Sequence, residues 1–252
     1  MVDFDDARFA VIADIHGNAD ALLAVLDDIE TQSIHSVINL GDHVSGPLAP
    51  RECADILMAL NHPSIKGNHD RWVVETAPDQ MSSIDRLARD DLDAPQLEWL
   101  RAMPASLQVT PDVFACHGTP ASDNAYWLEN VTATGGVALR PQAEIATIAK
   151  GISAQLFLCG HSHIPRRIDL SEGRIVLNPG SVGCPAYRDD EPVAHIVETG
   201  TAAACYAVVE RRRDGWLSSF RHVPYDGRRM LARAAETGHA AWMPRLATGW
   251  LT

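Results

Sequence analysis

The sequence predicts an α/β protein: a parallel sheet built from βαβ units in the first half of the chain, with an antiparallel sheet from the second half packed against it. Three observations lead there. Short apolar runs rich in Val, Ile and Phe, at 9–13, 37–40, 64–66, 113–116 and 156–159, are bounded by turn residues in the manner of buried strands. Stretches with apolar residues at helical spacing separate the early runs, and such alternation implies right-handed βαβ crossovers. Beyond residue 166 the runs become closely spaced, with hairpin turn residues between them. At 252 residues and 46% apolar, the chain can bury a large core and is expected to form one domain over 1–252.

The elements follow in order. Residues 18–30 repeat Ala21, Leu22, Val25, Leu26 and Ile29 at helical spacing. Residues 50–60 do the same with Ala54, Leu57 and Met58. A charged helical stretch, 82–103, breaks around 93–95. Residues 118–140 show little periodicity, and a loop that long is usually functional or disordered. In the second half 166–170, 174–178, 193–198, 203–211 and 216–223 read as strands, with turns at Ser171-Glu172-Gly173 and Asp214-Gly215. Residues 226–252 read as one or two closing helices.

Composition narrows the classes of function. A net charge of −12 disfavours binding to long nucleic acid, which requires basic surface. No apolar stretch approaches the roughly 20 residues that cross a bilayer. The N-terminus, Met1-Val2-Asp3-Phe4-Asp5-Asp6, is acidic and lacks the basic and apolar regions of a signal peptide. Five cysteines without a C-x-x-C pair suit reduced, buried thiols, so a cytoplasmic location is expected.

Five polar clusters, each at the end of an apolar run, carry the chemistry: Asp14-x-His16, Gly41-Asp42, Gly67-Asn68-His69-Asp70, His117-Gly118 and Gly160-His161-Ser162-His163. Open α/β sheets place their ligand sites at the carboxyl ends of strands. In extended backbone, residues two apart point the same way, so Asp14 and His16 are expected to face one ion together, as are His161 and His163. Cys116 and Cys159 read as small core residues rather than ligands. An Asp/His/Asn set without thiolate suits Mn²⁺, Fe, Zn²⁺, Co²⁺ or Ni²⁺. A carboxylate can bridge two ions, and Asp42 is the natural bridge. Two ions roughly 3.5–4 Å apart polarise a phosphoryl oxygen and hold a bridging hydroxide for in-line attack. A lone D-x-H or G-D is commonplace, whereas G-N-H-D and G-H-S-H are rare; all five in order, each at a strand end, make a metal site the expectation. Asn178-Pro179-Gly180-Ser181 reads as a turn bracing that site.

On these motifs the sequence resembles the calcineurin-like metallophosphoesterases, and in particular their small prokaryotic branch, from Asp14 to about Val223. The resemblance implies a four-layer α/β/β/α sandwich of two mixed sheets flanked by helices, with a dinuclear centre. It implies that Asp14, His16 and His163 bind the first ion and Asn68, His117 and His161 the second, with Asp42 bridging. It implies that His69 is the non-ligand, catalytic histidine, which protonates the leaving oxygen or steadies the transition state. Gly180-Ser181-Val182-Gly183 also matches the branch. One stretch departs. Protein phosphatases of the superfamily carry an Asp and an Arg shortly after the bridging aspartate, where this chain has His43-Val44-Ser45-Gly46-Pro47. A phosphoprotein substrate is thereby disfavoured, and His69 must find another orienting group.

For substrate contacts the sequence offers Arg71, Arg166 and Arg167 as phosphate grips, against the reading of plain surface arginines, and Asn124, Tyr126 and Trp127 as pocket or stacking residues, against packing of Tyr126 and Trp127 onto the core. The favoured function is hydrolysis of small phosphodiesters or nucleotides, dinucleoside polyphosphates included, with Mn²⁺ the first choice of metal. A phosphomonoesterase is the alternative. A scaffold that keeps the fold for binding partners comes third, because scaffolds of that kind tend to lose ligands or the catalytic histidine, and here the set is complete. An amidohydrolase would want an early H-x-H and eight βα repeats, and the sequence shows neither.

Overall fold

The computed structural model of the chain describes residues 7–252; the acidic N-terminal stretch read against a signal peptide, residues 1–6, lies outside them. The chain runs β1 (Arg8–Ile12), α1 (Ala19–Thr31), β2 (Val37–Asn39), α2 (Pro50–Leu60), α3 (Asn68–Glu75), α4 (Ser83–Asp91) and α5 (Ala94–Ala102). There follow β3 (Ser106–Thr110), β4 (Val113–Cys116), β5 (Glu129–Val131), β6 (Val137–Leu139), α6 (Gln142–Ile148) and β7 (Leu156–Leu158). The rest is β8 (Arg166–Asp169), β9 (Ile175–Asn178), β10 (Ala186–Asp189), β11 (His195–Glu198), β12 (Ala204–Arg212), β13 (Gly215–Val223), α7 (Arg228–Glu236) and α8 (Met243–Thr248). Local chemistry sets the helix ends. The Asn18 side chain accepts from Ala21 N at 3.1 Å to cap α1. Asp93 and Gln96 cap α5 reciprocally, which is why the 82–103 stretch breaks where it does.

Two mixed sheets pack face to face, ordered β13-β12-β1-β2 and β3-β4-β7-β9-β8. This corrects the expected division into a parallel first-half sheet and an antiparallel second-half sheet. Strand β1 is buried on both faces, so it needs a partner on each side: β2 pairs with it in parallel and β12 antiparallel, with Phe9 opposite Val209. In the other sheet β7 is parallel to both β4 and β9. The 64–66 run contributes a single bridge, Ser64 to Asn39, because the chain turns at Gly67 into α3.

Side-chain alternation divides the core into layers. Phe9, Val11 and Ala13 from β1 and its extension meet Val113, Ala115, Leu156 and Leu158 between the sheets. Ala10 and Ile12 face the opposite way, into a layer with α1, α2, α7 and α8 that includes Leu22, Met230 and Trp242. Phe157 and Val176 face α6 on the far side, and Cys116 and Cys159 pack there among apolar neighbours, as small core residues should. Helices α3, α4 and α5 close a smaller cluster around Val73, Ala88 and Leu100. The layers run helix, sheet, sheet, helix, the α/β/β/α sandwich that the resemblance implies.

Candidate metal centre

Each polar cluster follows the carboxyl end of a strand or the start of a helix: Asp14 and His16 after β1, Asp42 after β2, His117 after β4, His161 and His163 after β7, and Asn68 and His69 opening α3. These residues are not extended. Asp14 (φ 55°), His16 (50°), Asp42 (56°), His161 (68°) and His163 (58°) all have left-handed backbone. Alternation along a strand is therefore the wrong reason for their convergence, although they do converge. Non-glycine residues in such strained backbone each cost on the order of 1–3 kcal/mol and persist where the surroundings fix them. The bonds doing so include Asp14 N to Gly41 O at 3.0 Å and His16 N to Asp42 O at 3.0 Å. Ser181 Oγ donates to Asp14 O at 2.7 Å, and Asn178 Nδ2 to Gly160 O at 2.7 Å, so the 178–181 turn braces the centre as expected. Gly67 lies so close to Asp42 that a Cβ there would sit 2.2 Å from Oδ1.

The side chains meet in a buried knot. His16 Nε2 lies 3.3 Å from His163 Nε2 and 3.7 Å from Asp42 Oδ2. His163 Nε2 is 3.5 Å from Asp14 Oδ1, and His117 Nε2 is 3.3 Å from Asp42 Oδ2. His161 contributes a ring nitrogen to a group with Asp42 and His117. The other ring nitrogens are committed: Nδ1 of His16, His117 and His163 reaches the carbonyls of Ser45 (2.8 Å), Leu40 (2.7 Å) and Cys184 (2.6 Å). A carbonyl only accepts, so each Nδ1 carries a proton, and the His16 and His163 rings, which burial keeps neutral, present lone pairs at Nε2. His16 and His163 thus face each other with two lone pairs and no proton between them. Asn68 Oδ1 and His117 Nε2 are buried without hydrogen-bond partners. Asp14 and Asp42 are 0% and 1% exposed, and among the described residues only histidines form ion pairs with them.

Burial dominates the electrostatics. It pushes Asp14 up to about 8, and it pushes His16 down to about 4 and His161 to about 3. Burial also works against a charged His117, but Asp42 and Asp14 outweigh it and raise that ring to about 10. Asp42, in turn, is held well below the usual carboxylate range: burial opposes its charge and the surrounding histidines restore it. With no Lys or Arg paired to either carboxyl among the described residues, this buried set of carboxyl oxygens and imidazole nitrogens fits divalent metal and matches its donor preferences.

His69 stands beside the cage, its ring 5.3 Å from that of His16 and its side chain 22% exposed. Nδ1 donates to Asp85 Oδ1 at 2.8 Å, and Ser45 Oγ donates to the same oxygen at 2.5 Å. Asp85 is the orienting group absent after Asp42; it arrives from α4. In sequence it reads only as the third residue of a capped helix, since Ser82 Oγ accepts from Asp85 N at 3.2 Å. His43, also in the departing stretch, is fully buried with Nδ1 2.7 Å from Asp70 Oδ2, beneath the Asp42 turn.

The substrate-contact candidates are placed otherwise. Arg71 is held by both oxygens of Asp123, at 2.6 and 2.8 Å, and Arg166 by Glu129 at 3.0 Å. Arg167 donates to Trp216 O at 2.7 Å, away from the cage. Trp127 is 1% exposed in the layer under α6 and donates to Ile145 O, so packing takes it out of any pocket. Tyr126 is nearer: its ring lies 5.0 Å from that of His161, and its hydroxyl bonds Tyr187 and His195 at 2.6 and 2.8 Å. Asn124 hydrogen-bonds His161 through its backbone. A cleft of about 380 Å³ opens over the cage, walled by Trp72, Ile84, Tyr187, Arg188, Trp242 and Arg245. Sequence reading singled out none of these six.

The sequence matches the calcineurin-like phosphoesterase superfamily domain over residues 8–202. The chain belongs to this superfamily of metal-dependent phosphoester hydrolases. It is 30% identical over 201 residues to an uncharacterised protein of Methanocaldococcus jannaschii, covering 71% of this chain and 77% of that one. Its fold is similar to a metallophosphoesterase from Sphaerobacter thermophilus (TM-score 0.74, 24% identity, 98% of this chain and 100% of that chain). It is likewise similar to a hypothetical protein of Pyrococcus horikoshii (TM-score 0.76, 20% identity, 96% and 98% of the two chains). Among the described residues no helix is long and apolar enough to cross a membrane.

Proposed function

We propose that the chain is a two-metal hydrolase of small phosphodiesters or nucleotides, dinucleoside polyphosphates among them. The observation that carries this reading is the cage itself: two imidazole lone pairs opposed at 3.3 Å beside two buried Asp side chains that no Lys or Arg pairs with among the described residues. In this reading Asp14, His16 and His163 hold one divalent ion, Asn68, His117 and His161 the other, and Asp42 serves both. Mn²⁺ is the first choice, with Fe, Zn²⁺, Ni²⁺ and Co²⁺ compatible with the same donors. Ions bound there supply positive charge to a phosphoryl oxygen and make water acidic enough to act as a nucleophile near neutral pH.

The remaining work falls to the chain. Asp85 fixes the Nδ1 proton of His69, which leaves Nε2 as the ring atom for the substrate. Burial opposes a charged ring, but Asp42 and Asp85 raise His69 to about 8, and the Asp85 contact favours the protonated ring that serves as donor. As the oxygen of water bonds to phosphorus and the ester P–O bond breaks, the Nε2 proton passes to the leaving oxygen. A positioned acid of this kind is worth ~10²–10⁴ in rate. The five cysteines are free and buried, which supports a cytoplasmic setting.

Hydrolysis of bis(p-nitrophenyl) phosphate beside p-nitrophenyl phosphate, in Mn²⁺ with and without chelator, tests the proposal. Chelator-sensitive turnover favouring the diester is expected. Preference for the monoester would make the chain a phosphomonoesterase, and no turnover on either by metal-loaded protein would overturn a hydrolytic role on simple esters.

A further inference from the structure

The arginines most visible in the sequence are already neutralised, Arg71 by Asp123 and Arg166 by Glu129. The cleft instead draws its fixed positive charge from Arg188 on β10 and Arg245 on α8, neither of which forms an ion pair among the described residues. Arg245 is held in place. Its guanidinium carbon lies 4.8 Å from the Trp242 ring centroid, it reaches the Cys184 thiol, and its Nε is buried without a hydrogen-bond partner. The helix beneath it is locked: Trp242 and Leu246 are 6% and 3% exposed, Gly200 N donates to Gly249 O at 3.1 Å, and Leu251 N donates to Glu198 Oε1 at 2.8 Å. Arg188, by contrast, is exposed at the cleft wall, beside Asp189, which tempers the charge there. A stacked arginine with an unsatisfied buried donor is poised for a phosphate, which accepts its planar fork.

We propose that Arg245, with Arg188, binds a second phosphate of the substrate, one that is not cleaved. The cleft then selects nucleotides whose scissile phosphoester is joined to a further phosphate over esters of a single phosphate. Trp72, whose ring stands 4.7 Å from that of His69, offers the aromatic surface for the nucleoside. The inference rests on the phosphoester-hydrolase reading above, and its test is chosen to separate the two.

Binding of ADP and of AMP to the Mn²⁺-loaded full chain is measured by calorimetry, beside turnover of diadenosine triphosphate and of thymidine 5′-monophosphate p-nitrophenyl ester. ADP is expected to bind at least about tenfold tighter than AMP, with R245Q removing most of that ratio, since one charge-assisted contact is worth that much. In turnover, R245Q raises KM for diadenosine triphosphate far more than it lowers kcat. R245K restores only part, because an ammonium neither forks nor stacks. Equal affinity for ADP and AMP in the wild type, or an ADP/AMP ratio unaltered in R245Q, overturns the inference whether or not the protein turns over any ester. Should R245Q fail to fold, R188Q is judged by the same ratio, because Arg188 is exposed and its neutral variant disturbs no core. Failure of turnover alone, with the ADP/AMP ratio as expected, condemns the hydrolase reading and spares the subsite.

Discussion

Asp85 Oδ1 accepts the Nδ1 proton of His69 at 2.8 Å, although the two residues sit on different helices, α4 and α3. Asp85 is 2% exposed and also receives Ser45 Oγ at 2.5 Å, so the pair is fixed from three segments of the chain. Asp85→Asn keeps the shape and removes the charge. It is expected to lower kcat about 10- to 100-fold with KM little changed, and the double variant with His69→Ala should be no slower than His69→Ala alone. Additive losses in the double variant would show that Asp85 acts independently of His69.

The same pair sets a pH dependence. Against burial, which favours the neutral ring, Asp42 and Asp85 raise His69 to about 8. A protonated donor is lost as pH rises through the His69 pKa, so kcat should show a declining basic limb. In Asp85→Asn a favourable charge is gone and the decline should begin at lower pH. A basic limb at the same pH in both proteins would disconnect Asp85 from the proton on His69.

Asp42 lies between His16, at 3.7 Å, and His117, at 3.3 Å, and accepts from the His69 amide at 3.0 Å. If Asp42 bridges two ions as proposed, Asp42→Asn is expected to lose both together. Elemental analysis of the purified variant reads this directly, and two ions per chain would refute the bridging role. For the wild type, adding chelator should lower Tm by several degrees, since metal that binds only the folded state stabilises it by mass action. An unshifted Tm on chelation would mean that the folded cage holds metal weakly or not at all.

Much of this centre was legible in the sequence, because its candidate ligands sit beside strand ends in short clusters whose residue types have few other uses together. The geometry behind the clusters was not. Asp14, His16, His161 and His163 read as alternating strand residues, whereas all four occupy left-handed turns that no periodicity reveals. Asp85 was hidden because Ser82-x-x-Asp85 is an ordinary helix start, and only tertiary packing brings α4 against His69. Sheet membership failed for a similar reason: the pairing of Phe9 with Val209 joins the two ends of the chain, and local pattern says nothing about it. The arginines nearest the motifs attracted notice, while their partners Asp123 and Glu129 lay in a stretch without periodicity.

Gly67 is required by its neighbour rather than by its own backbone. A methyl group there would lie 2.2 Å from Asp42 Oδ1 and 2.5 Å from Asp42 N, and the backbone nitrogen cannot yield. Gly67→Ala is expected to cost about 1–3 kcal/mol, the range for overpacking a tight site, and to lower metal content by displacing Asp42. Thermal melts and elemental analysis check both; a variant with wild-type Tm and metal content would show that the two turns can move apart.

Far from the centre, Asp28 ties α1 to the edge of the first sheet. Arg221 donates to it at 2.5 and 2.8 Å, and the Tyr206 hydroxyl at 2.7 Å. The Arg221 hydrogen bond outweighs partial burial and lowers the Asp28 pKa from its ordinary 3.8. A carboxylate with a depressed folded pKa stabilises the fold above its unfolded value, and that stability is lost as pH falls through the folded one. With Arg221 35% exposed and Asp28 19%, solvent screens the pair, so Asp28→Asn should cost only about 1 kcal/mol at neutral pH. The difference in Tm between wild type and variant should then shrink once pH drops below the ordinary carboxylate value. A gap that persists undiminished in strong acid would assign the stabilisation to packing around Tyr206 rather than to the charge on Asp28.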